Sequence, residues 1–229
     1  MQETTALVLG TGGLGVALAQ ALSGHHAQVL NLGRRTEPAI DYADEASLAH
    51  AARWTAARCA QVPLRCVVVA TGFLHGPEGQ PERSGSQLDA AYLSQAFLVN
   101  AIGPALVIKH FLPLLPREGA CVAAFVSAKV GSIGDNRLGG WHGYRASKAA
   151  LNQLVKTASI EQARRNKESA IVALHPGTVD TPLSRPFSKS GLTVRSPEVA
   201  AREILAVLQG LGSQDNGRFV DYQGQTLPW

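Results

Sequence analysis

The 229-residue sequence has few cysteines, a low aromatic content of 6% and only a small excess of charge. Its cysteines, Cys59, Cys66 and Cys121, are odd in number and form no Cys-x-x-Cys pair. This argues against a disulfide framework and favours reduced thiols in a cytoplasmic protein. No cluster of His, Cys, Asp and Glu has the spacing of a metal site, so we expect no bound metal.

Long apolar runs and dense charge are also missing. No uninterrupted apolar run approaches the ~18 to 20 residues that a membrane span needs. The first strand-like segment follows no basic and apolar leader pattern, so we expect no secretory leader. The 21 Lys and Arg exceed the 17 Asp and Glu by four, without a basic stripe interleaved with aromatics. We therefore expect neither a membrane nor a nucleic acid as partner. A basic pocket for a phosphorylated ligand explains the charge more simply.

Apolar runs of strand length alternate with helical patterns along the whole chain, and this rhythm is typical of βαβ units. Strands are predicted at residues 5–9, 28–32, 65–70, 120–126, 170–174 and 219–222, with at best a short strand at 39–42. Helices are predicted at residues 14–22, 44–60, 88–112 and 144–165, and a last one from Ser196. We expect one Rossmann-like, doubly wound α/β domain over residues 1–229, with a parallel sheet and helices on both faces. Loops 71–87, 130–142 and 176–195 are expected to shape a ligand site.

A glycine-rich turn follows the first predicted strand and opens the first helix. Gly10, Gly12 and Gly15 fit Gly-x-Gly-x-x-Gly, with Gly13 and Leu14 inside the motif. Glycine here permits a tight turn, a close approach to a pyrophosphate and close helix packing, while the helix N-terminus attracts phosphate. The alternative is a glycine turn without a ligand.

The end of the second predicted strand decides which dinucleotide is expected. A carboxylate that binds a ribose 2′-hydroxyl would stand here, but the sequence reads Asn31-Leu32-Gly33-Arg34-Arg35. Arginine pairs with phosphate through two parallel hydrogen bonds and stacks on adenine. The pattern favours NADP(H) over NAD(H), although Arg34 and Arg35 would also suit a solvated turn.

Tyr144 and Lys148 are four residues apart at the start of a predicted helix, which places them on one helical face. A nearby ammonium stabilises a phenolate, and a tyrosine with a lowered pKa can act as a general acid/base. Such a pair predicts carbonyl–alcohol interconversion, although Tyr and Lys at this spacing are also common on helix surfaces.

Taken together in chain order, these motifs resemble those of the short-chain dehydrogenase/reductase family over nearly the whole chain. Ser147 precedes the lysine, and His175-Pro176-Gly177 is followed by Thr178 and Thr181. Gly-Ser-Ile-Gly-Asp-Asn and Tyr-Arg-Ala-Ser-Lys-Ala-Ala-Leu-Asn are similar to the C-factor-like and sniffer-like carbonyl reductase subgroup.

The resemblance implies roles for individual residues. Tyr144 would donate or accept the proton, Lys148 would lower its pKa and bind the nicotinamide ribose, and Asn100 would hold a water that relays protons to Lys148. Asp41 and Tyr42 would flank adenine, and Pro176, Gly177, Thr178 and Thr181 would contact the nicotinamide half. The implied cofactor contacts also include Ala70, Thr71 and Gly72.

Three departures from the family pattern affect these expectations. The glycine turn is one residue short, Val69 and Ala70 replace two asparagines, and Ala128 occupies the position of the usual catalytic serine. Neighbouring strand residues point to opposite faces, so Ser127 is no simple substitute, whereas Ser132, one turn later, could point back. We expect one of these two hydroxyls to assist the carbonyl.

Two functions therefore remain open. The first is an NADP-dependent oxidoreductase acting on a small carbonyl or alcohol substrate. The second is a signalling or regulatory protein that binds NADP(H) with little or no turnover, and Ala128 favours it. The resemblance also implies a homodimer or a homotetramer.

Overall fold

The computed structural model describes residues 2–77, 79–187 and 193–229. Its main sheet has six strands in the order β2-β1-β3-β4-β5-β8, and every neighbouring pair is parallel. The strands of this sheet are β1 (Gln2–Leu9), β2 (His26–Leu32), β3 (Leu64–Val69), β4 (Cys121–Val126), β5 (Ser169–His175) and β8 (Phe219–Asp221). Two short strands, β6 (Thr178–Val179) and β7 (Val194–Arg195), pair with each other separately.

Helices cover both faces of the main sheet, because successive strand residues point to opposite sides. Leu7 and Leu9 of β1 belong to one core cluster and Ala6 and Val8 to the other. Helices α2, α4 and α5 contribute to the first cluster, and α1 and α6 to the second. The helices are α1 (Gly13–Ser23), α2 (Glu45–Arg58), α3 (Ala90–Phe97), α4 (Gly103–Phe111), α5 (His142–Arg165) and α6 (Pro197–Gly210). The predicted doubly wound α/β fold is confirmed.

The strand order places a crevice beside β1. The chain leaves β1 for β2 on one side and returns to β3 on the other. In open parallel sheets, ligands bind outside the carboxyl ends of the strands where the order reverses in this way. The glycine turn after β1 and residues 70–72 after β3 face this position.

The predicted short strand at residues 39–42 is wrong. This segment is a loop at the β2 edge of the sheet. The backbone N–H of Ile40 donates to Gly33 O at 3.0 Å, and that of Asp41 donates to Ser47 Oγ at 2.9 Å. The segment therefore bonds within its own loop and against α2 rather than along β2.

The predicted long helix 88–112 is divided. A π-helical turn, Leu98–Ile102, separates α3 from α4. Pro104 has no N–H for the carbonyl of Asn100 four residues earlier, so the regular α-helical pattern cannot continue there. A β-carbon on Gly103 would lie 2.1 Å from Cδ2 of Tyr42, so glycine permits close packing of the helix against Tyr42.

The consecutive α-, π- and 3-10-helical turns over Ala90–Leu114 together have the length and the hydropathy of a membrane span, with a window mean of 1.5. Lys109 and His110 interrupt its apolar residues, so the sequence contains no uninterrupted apolar run of this length. These properties are weak evidence, because a core helix shares them. In this fold Tyr92 and Asn100 of the stretch hydrogen-bond to the backbone of Leu74 and Phe73.

The three predicted loops contain short regular elements. Loop 130–142 begins within a 3-10 turn at Lys129–Gly131. Loop 176–195 contains β6, a 3-10 turn at Arg185–Phe187 and β7. Residues 188–192 of this loop lie outside the described residues. Helix α6 begins as predicted, with Ser196 accepting a hydrogen bond from the N–H of Val199 and Pro197 in the first turn.

Candidate active site

A cleft of about 610 Å³, here called the main cleft, opens at the carboxyl ends of the strands. It brings together predicted residues from six separate segments of the chain. The predicted site residues that line it are Gly10, Gly12, Gly13, Leu14, Arg34, Asp41, Tyr42, Ala70, Thr71, Gly72, Ser127, Tyr144, Lys148, Pro176, Gly177 and Thr181. Those that do not line it are Gly15, Arg35, Asn100, Ser132 and Thr178.

The glycine turn is shaped by contacts that exclude side chains at two of its positions. Gly10 has a φ of +129°, and a β-carbon there would lie 3.0 Å from the backbone of Ala70. A β-carbon on Gly15 would lie 2.1 Å from Gly10 O. Around Gly12 there is open space within 4 Å, and no side chain caps the helix at this N-cap residue. The first turn of α1 therefore offers backbone N–H groups beside an unfilled part of the main cleft.

The end of β2 completes this part of the wall. Arg34 is exposed and lines the main cleft, whereas Arg35 is exposed outside it. Nδ2 of Asn31 donates to Gly10 O at 2.9 Å and to Val8 O at 3.0 Å, tying β2 to the glycine turn. This support by Asn31 was not predicted, because its sequence position gave no indication of side-chain direction.

Tyr144 and Lys148 lie in the first two turns of α5, and both are buried. The Lys148 ammonium donates to Val126 O at 2.9 Å and lies 5.9 Å from the centre of the Tyr144 ring. A β-carbon added to Gly72 would be 3.8 Å from Lys148 Nζ and 3.8 Å from Asn100 Oδ1. Gly72 and Lys148 therefore lie side by side in the wall of the main cleft.

The acid–base properties of this pair differ from the expectation. Burial raises the pKa of Tyr144 well above its ordinary value, and the charge of Tyr92 adds to this effect. Burial lowers the pKa of Lys148 to about 7. A lowered tyrosine pKa was expected, but desolvation opposes charge on both groups. Tyr144 consequently holds its proton at neutral pH.

Asn100 is fully buried in the π-helical turn. Its Oδ1 accepts the N–H of Phe73 at 2.8 Å, and its Nδ2 donates to Phe73 O at 2.8 Å and to Ser147 Oγ at 3.0 Å. The side chain therefore fixes the loop after β3 against α5. Pro104 has no N–H and therefore deprives the backbone carbonyl of Asn100 of its α-helical donor.

The hydroxyls of Ser127 and Ser132, the two candidates to replace the serine hydroxyl absent at Ala128, both form hydrogen bonds within the protein. Ser127 lines the main cleft, but its Oγ donates to Asn152 Oδ1 at 2.6 Å. Ser132 Oγ donates to Trp229 O at 3.1 Å and accepts the N–H of Asp135 at 3.1 Å. Ala128 stands in the wall of the cleft between them.

Several lining residues were not predicted to be part of the site. Among them are Thr11, Phe73, Leu74, Leu183 and His175. Burial lowers the pKa of His175 to about 4, so this imidazole is neutral at ordinary pH. Its place at the end of β5 and directly before Pro176 was a usable signal, because parallel strands end at the same edge of the sheet.

The described residues outside the main cleft form no second set of predicted catalytic or cofactor-binding groups. A second cavity of about 650 Å³ lies near the amino ends of β3 and β4 and is lined by none of the predicted site residues. Within residues 2–77, 79–187 and 193–229, no group of three or more His, Cys, Asp or Glu side chains could hold a metal ion.

The short chain dehydrogenase family model matches residues 4–191. The chain therefore belongs to the short-chain dehydrogenase family of oxidoreductases, as the sequence motifs indicated.

Individual relatives agree with the subgroup resemblance. The chain is 37% identical to C-signal of Myxococcus xanthus over 142 residues, which are 62% of this chain and 81% of that protein. It is 34% identical to the 1-hydroxy-2-glutathionyl-2-methyl-3-butene dehydrogenase of Rhodococcus sp. (strain AD45), over 62% of this chain and 61% of that enzyme.

Solved structures show the same fold over almost the full length. Carbonyl reductase Sniffer of D. melanogaster has a TM-score of 0.85 at 22% identity, covering 100% of both chains. The NADPH-bound carbonyl reductase from chicken fatty liver has a TM-score of 0.84 at 23% identity, covering 98% of both chains.

Proposed function

We propose that this protein is an NADP(H)-dependent oxidoreductase that interconverts a small carbonyl compound and its alcohol. One observation carries the proposal: the main cleft joins the glycine turn and Arg34 at one side to Tyr144 and Lys148 at the other. A single cleft therefore offers groups suited to a phosphorylated dinucleotide and a protonated phenol suited to a carbonyl oxygen. The relatives named as carbonyl reductases and dehydrogenases support this reaction class.

The residues present fit NADP(H). The open space at Gly12 and the uncapped N-terminus of α1 suit a pyrophosphate. Arg34 would pair with the 2′-phosphate, and Asp41 and Tyr42 would flank the adenine. Pro176, Gly177 and Thr181 line the opposite part of the cleft and would hold the nicotinamide half. The NADPH-bound chicken enzyme supports this choice of nucleotide.

In the reducing direction, a bound NADPH would supply the hydride needed at the carbonyl carbon. Tyr144 gives its hydroxyl proton to the carbonyl oxygen, so the product is a neutral alcohol. Its raised pKa keeps the proton in place until negative charge develops on that oxygen. Lys148, with a pKa of about 7, would return a proton to the phenolate, and the Asn100 carbonyl would hold the relay water that recharges the lysine.

A second candidate function also has an observation in its favour. Ala128 leaves the cleft wall without the usual hydroxyl, and the hydroxyls of Ser127 and Ser132 are bonded elsewhere. A protein that binds NADP(H) as a regulatory ligand needs no such group. The relative C-signal of Myxococcus xanthus, whose name describes no enzyme, is compatible with this function.

Turnover distinguishes the two functions. NADPH and NADH consumption should be followed against a panel of aldehydes and ketones, with Tyr144→Phe as the matched control that lacks only the phenolic hydroxyl. We expect NADPH consumption by the wild type and almost none by Tyr144→Phe, with NADPH binding retained in both. Tight NADPH binding without turnover of any carbonyl would favour the regulatory function. Absence of NADPH binding would contradict both functions.

The resemblance also leads us to propose a homodimer or a homotetramer. Measurement of the molar mass of the wild-type protein in solution tests this proposal.

A further inference from the structure

Glu82 is a buried carboxylate outside the proposed chemistry. It lies in the loop between β3 and α3, with a relative exposure of 2%. Both of its carboxylate oxygens accept the backbone N–H of Gly143, at 3.2 and 3.1 Å. Its own backbone carbonyl accepts the N–H of Trp141 at 2.5 Å. One residue thus bonds through its side chain and its backbone to the start of the helix that carries Tyr144.

The start of α5 needs such a partner. The first N–H groups of a helix have no acceptor within the helix, and the N-cap residue Trp141 provides no side-chain hydrogen bond. Trp141 also has a φ of 54°, a conformation that costs energy for a bulky residue. The Glu82 carboxylate is an acceptor at the positive end of the helix dipole. Its bonds therefore offset both the unpaired N–H and the unfavourable backbone at Trp141.

Packing around this contact leaves little freedom. A β-carbon on Gly143 would lie 2.8 Å from Cε1 of Tyr92 and 3.1 Å from Glu82 Oε1. The next residue is Tyr144, and the Trp141 ring meets the Tyr144 ring edge-on at 6.1 Å between centres. If the Glu82 carboxylate moved, Gly143 and Trp141 would move with it, and the Tyr144 phenol would be displaced.

We propose that Glu82 is a positioning residue, whose carboxylate holds the first turn of α5 so that the Tyr144 hydroxyl lies at the reacting oxygen. This inference rests on the proposed function. It adds that the loop after β3 influences the reaction by holding the N-terminus of α5 in place. Glu82 does not contact the substrate in this proposal. Geometry of this kind matters because displacement of a reacting group by about 1 Å can reduce a rate by ~10²-fold.

Two variants separate positioning from general stability. Glu82→Ala removes both acceptors, whereas Glu82→Gln keeps an amide oxygen that can accept the Gly143 N–H. Glu161→Gln is the matched control, because Glu161 is an exposed residue of the same helix. The measurements are kcat, KM and NADPH affinity, together with backbone hydrogen exchange of residues 141–148 in the protein without nucleotide.

We expect Glu82→Ala to lower kcat by ~10²-fold with KM and NADPH affinity unchanged, and to speed exchange at residues 141–148. Glu82→Gln should recover most of the activity and the protection, and Glu161→Gln should match the wild type in both. A folded Glu82→Ala protein with wild-type kcat would overturn the proposal. So would a Glu82→Gln protein that keeps the protection at residues 141–148 but recovers no activity.

The exchange data also keep this inference separate from the proposed function. If the wild type reduces no carbonyl, the proposed function fails while the exchange experiment still reports on the contact. Unchanged exchange in Glu82→Ala would then show that Glu82 does not hold the first turn, and would overturn the inference independently.

Discussion

The Ser127 hydroxyl donates a 2.6 Å hydrogen bond to Oδ1 of Asn152 in α5, and both side chains are buried. Ser127 therefore fastens the end of β4 to the helix that carries Tyr144. A hydroxyl that donates its hydrogen to an amide oxygen cannot donate the same hydrogen to a substrate carbonyl. The adjacent position in the cleft wall is Ala128, which has no hydrogen-bonding side chain.

Ala128→Ser should therefore raise the rate of carbonyl reduction. The backbone at Ala128 is extended (φ −146°, ψ 144°), which serine adopts readily. A positioned donor to a developing oxyanion is worth ~10²–10³ in rate in enzymes that use one, so we expect an increase in kcat of up to ~10²-fold. The measurement is kcat for the best carbonyl of the panel.

Ser127→Ala is the companion variant. It should leave turnover nearly unchanged and lower the free energy of unfolding by about 1–3 kcal/mol, because Oδ1 of Asn152 loses its buried donor. Loss of turnover in a folded Ser127→Ala protein would instead identify Ser127 as the hydroxyl that assists the carbonyl.

Arg34 and Arg35 are expected to differ in their effects on nucleotide choice. Arg34 lines the main cleft and Arg35 does not. Arg34→Ala should weaken NADPH binding by ~10-fold or more, since a hydrogen bond to a charged group contributes about 1.5–3 kcal/mol. NADH affinity should change little, and Arg35→Ala should resemble the wild type. Fluorescence titration of both nucleotides checks this, and equal losses for NADPH and NADH in Arg34→Ala would contradict it.

Two glycines of the phosphate-binding turn should respond differently to alanine. Gly15→Ala places a β-carbon 2.1 Å from Gly10 O, so we expect the free energy of unfolding to fall by about 1–3 kcal/mol or more. Gly12→Ala meets open space and should keep most of the stability while weakening NADPH binding, because the methyl group occupies room for the pyrophosphate. Thermal unfolding and nucleotide titration separate these outcomes. Unchanged NADPH affinity in Gly12→Ala would contradict the placement of the pyrophosphate.

The sequence predicted the fold because hydrophobic periodicity and turn chemistry agree from β1 to β8. The error at residues 39–42 arose where local bonds from Ile40 to Gly33 and from Asp41 to Ser47 replaced strand pairing. Such bonds depend on where the chain turns, which apolar content alone does not specify.

Site residues were predictable in the glycine turn and at the ends of strands, because the backbone fixes their positions there. They were less predictable where a residue's role depends on the direction of its side chain. The sequence offered Ser127 and Ser132 as alternatives, but their partners, Asn152 and the backbone of Trp229, become neighbours only in the folded chain. Glu82 gave no signal at all, because its partner Gly143 is 61 residues away.

Lys148 provides a prediction that needs no substrate. Burial lowers its pKa to about 7, from an ordinary value of 10.5. Between these two pH values the unfolded chain binds a proton that the folded protein does not bind. Stability from this group therefore rises as pH increases through this window, and the penalty of burying the charge is greatest at and below pH 7.

Lys148→Met removes this dependence. We expect the difference in melting temperature, Lys148→Met minus wild type, to be largest near pH 7 and to decrease steadily toward pH 10. The wild-type lysine is neutral in the folded state over this window, and the free-energy cost of releasing its proton on folding falls as the pH rises. The measurement stays below pH 10, the ordinary pKa of tyrosine, because the raised pKa of Tyr144 makes folding less favourable above that value. Lys167→Met, which changes an exposed lysine just beyond α5, is the control and should show no such trend. A difference between Lys148→Met and the wild type that is constant with pH would show that Lys148 remains charged in the folded protein, and would remove the basis for its role in returning a proton to Tyr144.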